Sequence, residues 1–169
     1  MKMIFALLLP IFLGVFSASA QQPTFQDPLL DHLVGKWVLR GTIAGKQTTH
    51  DVVAEWVLNH QYLKIHEISR EKNEKGQPGY EANVFIGWDQ ASSEYVCVWL
   101  DDYGNVNSQS LATAKRSGNE IPFLFHYKDG SSFHTTFAYY PEGNYWEWRL
   151  DAEKNGSFNP FARVKLTRK

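Results

Sequence analysis

Carboxylates, six histidines and a single cysteine are the side chains of this sequence with the most potential for chemistry. The sequence contains no glycine-rich phosphate loop, no nucleophile elbow and no H-E-x-x-H zinc motif, which are patterns that position such groups within one segment. We therefore predict no catalytic residue and no cofactor. An enzyme whose groups converge from distant strands stays open as an alternative.

Glu67 is the carboxylate that the sequence pattern turns toward the protein interior. A tight turn at residues 59–60 pairs Trp56 with Leu63 and Val52 with Glu67, which places Glu67 on an apolar face. A buried carboxylate is costly unless it is hydrogen-bonded. Glu67 is therefore expected at the rim of the interior, beside an inward Arg or His, or in contact with a ligand.

The strongest pattern for a metal ion is a pair of histidines, His126 and His134. A three-residue hairpin loop after Lys128 places them opposite each other, on the face that points away from the aromatic side chains. A zinc site needs further ligands and partners that orient them, which a solvent-facing pair lacks. The sequence therefore predicts no metal site. Cys97 lies in a run of strand-forming residues and is expected to be a small buried side chain.

The elements that must position these groups are β-strands. Runs rich in Val, Ile, Thr and aromatic residues recur about every 8–12 residues, with turn-forming residues between them. The ten predicted strands cover residues 36–43, 48–58, 62–71, 80–88, 94–101, 106–115, 119–127, 132–139, 144–151 and 161–168. Because every connection is short, neighbouring strands pair, and closure of the sheet into an up-and-down barrel removes its unpaired edges.

Aromatic residues make up 15% of the chain, and strand alternation places many of them on one face. The three-residue loop after Lys128 pairs Phe123 with Phe137 and Phe125 with Thr135, whereas a two-residue turn scatters the aromatic side chains over both faces. The side chains predicted to line the lumen are those of Trp37, Trp56, Leu63, Glu67, Val84, Trp88, Phe123, Phe125, Tyr127, Phe137, Trp146 and Trp148. They either surround a cavity or fill the core.

Several short motifs accompany the predicted strands. They are Gly35-Lys36-Trp37 after a short helical turn over residues 27–35, Ala54 to Leu58 before a tight turn, Gly87-Trp88-Asp89 at a strand end, and Tyr95 to Trp99 followed by Asp101 to Gly104. The first resembles the G-x-W signature of the lipocalin and calycin superfamily, and the set is similar to a family of bacterial lipocalin-like barrels of unknown function. The resemblance covers nearly the whole chain after residue 20. It implies a calycin-like barrel in which Arg168, or else Arg163, stacks on Trp37 and closes the barrel floor.

The first twenty residues predict a secretory signal peptide. Lys2 precedes an apolar run over residues 3–16, and Ala18-Ser19-Ala20 is a small-residue cleavage site. The run is shorter than the ~20 residues of a membrane span, which disfavours an uncleaved anchor. The predicted organisation is a signal peptide over 1–20, a lead-in with a helical turn over 21–34 and a calycin-like barrel over 35–169. After cleavage following Ala20 the protein is expected to be secreted or periplasmic.

Composition excludes several classes of protein. A formal net charge of −1 gives no electrostatic footprint for nucleic acid, and one cysteine excludes a disulfide scaffold. The leading hypothesis is an exported barrel that binds a small, mostly apolar ligand in an aromatic-lined lumen, with no nucleic-acid partner and no stable membrane anchor. One alternative is a packed barrel that serves as an envelope structural or protein-interaction module, with an apolar outer patch near Val53, Val57 and Tyr62. The other is an enzyme acting at the barrel mouth, and the oligomeric state is left open.

Overall fold

The computed structural model describes residues 24–104 and 111–169. Its elements in chain order are a short helix α1 (Pro28–Asp31), strands β1 (Gly35–Ile43), β2 (Lys46–Val57), β3 (Tyr62–Ser69), β4 (Glu81–Asp89), β5 (Glu94–Asp101), β6 (Leu111–Ala114), β7 (Glu120–His126) and β8 (Ser132–Tyr140), a 3-10 turn (Pro141–Gly143), and strands β9 (Tyr145–Lys154) and β10 (Ser157–Arg168). The segment predicted as a signal peptide lies outside the described residues. In the described ranges, no helix has the length and apolar character needed to cross a membrane.

The strands form a closed antiparallel barrel. Each strand pairs with its neighbours in sequence, and β1 also pairs with β10, so that the sheet closes on itself. The predicted all-β fold, a single up-and-down barrel of about ten strands with a short helical turn at its start, is therefore confirmed. Part of the predicted sixth strand, residues 106–110, lies outside the described residues.

The predicted register between β2 and β3 is confirmed. Trp56 pairs with Leu63 and Val52 pairs with Glu67, so the Glu67 side chain points into the barrel. The exposed fraction of Glu67 is only 2%. Alternation along two strands with apolar inner faces was sufficient to predict this register, because a slip of one residue would turn every apolar side chain outward.

The predicted register between β7 and β8 is wrong by two residues. Phe123 pairs with Thr135 rather than Phe137, and Phe125 pairs with Phe133 rather than Thr135. The hairpin loop is longer than expected and covers residues 127–131, where the backbone N–H of residue 127 donates to the carbonyl of residue 131 at 2.9 Å. A shift of two residues leaves each side chain on its predicted face, so the aromatic side chains still point inward.

Helix α1 closes one end of the barrel. Asp27 caps this helix, because its carboxylate accepts from the backbone N–H groups of Leu29 at 2.7 Å and Leu30 at 3.0 Å. Both leucines are buried, as is Leu33 just after the helix. The indole N–H of Trp37 donates to the Leu33 carbonyl at 2.6 Å. The apolar side of α1 thus forms a plug that is tied to the first strand.

Arg168 covers Trp37 at this closed end. Its guanidinium carbon lies 4.0 Å from the centroid of the Trp37 ring. The same guanidinium donates to the backbone carbonyls of Val34 at 2.6 Å and His32 at 2.9 Å. This is the stacking that the resemblance implies, and Arg168 makes it, whereas Arg163 forms an ion pair elsewhere.

Gly35 begins the G-x-W motif for a steric reason. Its φ angle is +127°, a conformation that L side chains rarely adopt, and a Cβ atom at this position would collide with Nη1 of Arg168. Glycine is therefore required for the guanidinium to approach the backbone and reach the Trp37 ring.

Candidate functional site

A cavity of about 950 Å³ lies at the end of the barrel opposite α1. It opens among the connections that join β1 to β2, β3 to β4 and β5 to β6, which contribute Ala44, Gly79 and Tyr103 to its rim. Elsewhere the interior is filled by large side chains, among them the fully buried Trp37 and Trp146. The barrel therefore has a packed half and a hollow half.

Two facing walls of the cavity differ in polarity. The polar wall, formed by β2, β3 and the residue before β4, contributes Thr48, His50, Glu67, Ser69 and Tyr80. The apolar wall, formed by strands β7 to β10, contributes Phe125, Phe133, Trp148, Leu150 and Val164. Strands β1, β5 and β6 separate the two walls around the barrel. Such a cavity can hold an apolar body against one wall while the other wall bonds a polar group.

The centre of the polar wall is a buried pair, His50 and Glu67. The Nδ1 atom of His50 is hydrogen-bonded to Oε1 of Glu67. The two residues have exposed fractions of 3% and 2%. Among the described residues, His50 is the sole hydrogen-bond partner of Glu67, and Oε1 makes that bond, so the second carboxylate oxygen has no partner there. Of the three environments expected for Glu67, the structure shows the one beside an inward histidine.

A line of hydrogen bonds continues from His50 to the cavity rim. The Nε2 atom of His50 lies 2.7 Å from Oγ1 of Thr48, and the Thr48 hydroxyl donates to Oε2 of Glu71 at 2.8 Å. Because the Thr48 proton goes to a carboxylate, the Nε2–H of His50 must donate to Thr48. One proton then remains between Nδ1 of His50 and Glu67, so that this pair is neutral overall whichever atom carries the proton.

Tyr80 extends the polar wall with an aromatic face. The indole N–H of Trp99 donates to the Tyr80 hydroxyl oxygen at 3.0 Å. The Tyr80 ring centroid lies 5.9 Å from that of His50 and 5.8 Å from that of Tyr103. Burial, followed by the negative charge of Glu67, raises the pKa of Tyr80, so its hydroxyl keeps its proton. Within the described part of the chain that proton has no acceptor, which leaves a donor for a ligand.

The sequence analysis did not identify His50, although the signal was present. His50 lies two residues before Val52, and side chains two apart share a face of a strand. Val52 pairs with Glu67 in the predicted register, so the same register already placed His50 beside Glu67. Thr48 follows from the same alternation. Polar side chains such as these are typical of solvent-facing positions, although the parity of His50 and Thr48 places them on the inner face.

Four of the side chains predicted to line the lumen lie on the cavity: Glu67, Phe125, Tyr127 and Trp148. Six others are buried in the packed part of the interior: Trp37, Leu63, Val84, Phe123, Phe137 and Trp146. Strand parity determines only whether a side chain points inward. The position along the strand then determines whether the side chain packs near α1 or lines the cavity.

The remaining two predicted lining residues, Trp56 and Trp88, lie at the closed end. The Trp56 indole N–H donates to Oδ1 of Asp31 at 2.8 Å, so it fastens the last residue of α1 to β2. Trp88 is 38% exposed near the end of β4, and its ring stacks on that of Phe25. Both tryptophans help to hold the N-terminal segment rather than to surround the cavity.

The histidine pair considered for a metal ion is not formed. His126 pairs with Ser132 and His134 pairs with Leu124, because of the register shift between β7 and β8. His134 is instead bonded to Glu153 at 2.8 Å. Over the described ranges, no three His, Cys, Asp or Glu side chains are grouped so that they could hold a metal ion. Cys97 is fully buried, and the desolvation raises the pKa of its thiol, as expected of a packed side chain.

No protein-family model matches this chain, and no curated protein matches it at a significant level of similarity. What the cavity accepts must therefore be argued from the side chains that line it.

Proposed function

We propose that this protein is an exported, lipocalin-like barrel that binds a small, mostly apolar molecule in its open-ended cavity. The observation that carries the proposal is the cavity itself, whose volume of about 950 Å³ lies within the usual range for small-molecule sites. The G-x-W motif, with Arg168 over Trp37, supports a place among the calycins. The signal-peptide pattern over residues 1–20 supports export to the periplasm or the medium.

Burial on the apolar wall would supply most of the binding free energy. Apolar area contributes about 25 cal/mol per Å², so a ligand that buries roughly 300 Å² gains about 7.5 kcal/mol before the loss of its motion is subtracted. Phe125, Phe133 and Trp148 provide rigid aromatic surface for this purpose. A cavity of this size favours ligand binding over the alternative of a fully packed interaction module.

The test is a titration with N-phenyl-1-naphthylamine, a neutral apolar dye that brightens in apolar surroundings. Wild-type protein should bind the dye, and Ala162→Trp should weaken the binding at least about tenfold, because a buried cavity-lining alanine is replaced by an indole that fills the space. Val53→Trp, on the outer wall of β2, is the matched control and should bind like wild type. Absence of dye binding by wild type, or equal weakening by both variants, would contradict the proposal.

A second candidate function is acid–base catalysis at the cavity rim. It is favoured by the line of hydrogen bonds from Glu67 through His50 and Thr48 to Glu71, because such a line can carry a proton between the buried pair and a bound molecule. Uncharged p-nitrophenyl esters of increasing chain length would test it. Turnover that is no faster in wild type than in His50→Gln would exclude this candidate.

A further inference from the structure

We propose that the cavity selects ligands whose apolar body carries a protonated amine, and that Glu67 is the carboxylate that receives this group. The inference rests on the proposed ligand-binding function and adds the chemical class of the ligand. It identifies the polar wall as a cation site and the apolar wall as the surface for the rest of the molecule.

The burial of Glu67 and His50 is the first argument. An ion pair in an apolar interior gains little stability over packed apolar side chains, because desolvation offsets the attraction between the charges. Glu67 has one hydrogen-bond partner among the described residues, although a carboxylate can accept several bonds. A ligand N–H group that bonds the second oxygen of Glu67 would complete its hydrogen bonding and would hold the proton of the pair on His50.

The charges around the cavity are the second argument. Three carboxylates line it, those of Glu67, Glu71 and Asp101, and the cationic side chains lining it in the described residues are Lys46 and, when protonated, His50. Lys46 is exposed at the start of β2, where water screens its charge. Burial raises the pKa of Tyr80 on this wall, and Glu67 and Asp101 raise it further. Burial disfavours a charge of either sign, whereas the carboxylates of Glu67, Glu71 and Asp101 favour a positive group over a negative one on this wall.

The aromatic faces of Tyr80 on the polar wall and of Tyr103 at the adjoining rim are the third argument. The rings of Tyr80 and Tyr103 are tilted by 40° with their centroids 5.8 Å apart, and the bond from Trp99 fixes the Tyr80 hydroxyl. Cations are attracted to the faces of aromatic rings within about 6 Å. A combination of carboxylates and ring faces suits an ammonium group better than an alcohol or a carboxylate.

The experiment compares three ligands with the same chain and different head groups: dodecylamine, 1-dodecanol and dodecanoate. Each is used below its micelle concentration at near-neutral pH to displace N-phenyl-1-naphthylamine from the wild-type protein. Dodecylamine should bind about tenfold more tightly than dodecanoate, with dodecanol between them, since charge-assisted bonds are stronger than neutral ones. The comparison is made within one protein and does not depend on any variant folding.

Glu67→Gln then tests the assigned partner. It should reduce the affinity for dodecylamine about tenfold and change that for dodecanol by less than about threefold. Glu81→Gln is the matched control, because Glu81 is bonded to His66 on the outer wall, and it should leave all three affinities unchanged. Retention of the amine preference in Glu67→Gln would assign the selection to another group and overturn the role of Glu67.

The wild-type results separate this inference from the proposed function. Equal affinities for the three ligands, or tightest binding of dodecanoate, would overturn the cation site while leaving a ligand-binding cavity in place. Failure of all three ligands and of the dye to bind would remove both.

Discussion

The two ends of the barrel each contain a buried carboxylate, and the two carboxylates differ in the number of hydrogen bonds that they accept. At the closed end, Asp27 accepts from two backbone N–H groups and from the hydroxyl of Tyr95, and Nη1 of Arg116 lies 3.7 Å away. At the hollow end, Glu67 is bonded to His50. Both have exposed fractions of 5% or less.

The difference separates a carboxylate that completes the fold from one that is available to a ligand. Among the described residues, every donor to Asp27 belongs to the plug or to the barrel wall, so the bonds of Asp27 fasten α1 to β5. Glu67 and His50 lie on adjacent strands that already pair through their backbones. The side-chain bond between Glu67 and His50 therefore joins two strands that backbone hydrogen bonds already join. The G-x-W motif lies at the fastened end, away from Glu67 and its unbonded carboxylate oxygen.

The largest effect on stability is expected for Asp27→Ala. Loss of a helix cap costs about 1 kcal/mol, and a buried tyrosine hydroxyl without an acceptor costs about 1–3 kcal/mol more, so the free energy of unfolding should fall by about 2–4 kcal/mol. Urea unfolding would measure this loss. The affinity for the neutral dye should stay unchanged in the folded variant, because Asp27 lies outside the cavity. Weaker dye binding would show that the two ends are coupled.

A smaller effect is expected when both members of the cavity pair are replaced, as in His50→Leu with Glu67→Leu. The free energy of unfolding should stay within about 1 kcal/mol of wild type or increase, since packed apolar side chains replace a buried pair at little or no loss. The single variant Glu67→Leu should be less stable than the double variant, because it leaves the His50 Nδ1 atom without its partner. Urea unfolding of both variants gives the comparison.

The double replacement also tests the contrast between the two carboxylates. It should keep dye binding and remove the preference for dodecylamine over dodecanoate. A loss of stability as large as that of Asp27→Ala would show that the His50–Glu67 pair supports the fold in the same way as the Asp27 cap.

Strand alternation predicted most of the fold from the sequence. It gave the number and order of the strands and the inward direction of Glu67, since one face of each strand is apolar. It did not give the loop between β7 and β8, in which Asp129 accepts from the backbone N–H of Ser131 at 3.1 Å and stabilises a five-residue connection. The Asp-Gly pair suggests a shorter turn, although Asp is also a residue whose side chain often bonds the backbone two residues on, as Asp129 does here.

The candidate site was predicted less completely, for a different physical reason. Parity determines which side chains point inward, but the extent of the cavity depends on where α1 packs and on how far Trp37, Trp146 and Phe137 fill the interior. These are contacts between segments far apart in the sequence. His50 was within reach of sequence reasoning, because its spacing from Val52 placed it on the inner face.

The smallest effect is expected on the outer wall, which belongs to neither end. The carboxylate of Asp51 on β2 is bonded to Arg70 at 2.7 and 3.0 Å and to Lys169 at 3.1 Å. The Arg70 guanidinium, assisted by Lys169, lowers the pKa of Asp51 from its ordinary value of 3.8 to about 2. Because the folded pKa lies below the unfolded one, the contribution to stability is present above about pH 4 and is lost as the pH falls toward 2.

The variant Asp51→Asn should therefore lower the free energy of unfolding near pH 7 by less than about 1 kcal/mol, since these side chains are exposed and water screens the pair. At about pH 2 the variant and the wild type should differ less, because the Asp51 carboxyl of the folded wild type is then about half protonated. Urea unfolding at the two pH values measures both quantities, and added salt should shrink the difference near pH 7. A difference that persists unchanged at low pH would assign the effect of Asp51 to packing, and the outer wall would then resemble the closed end rather than contrast with it.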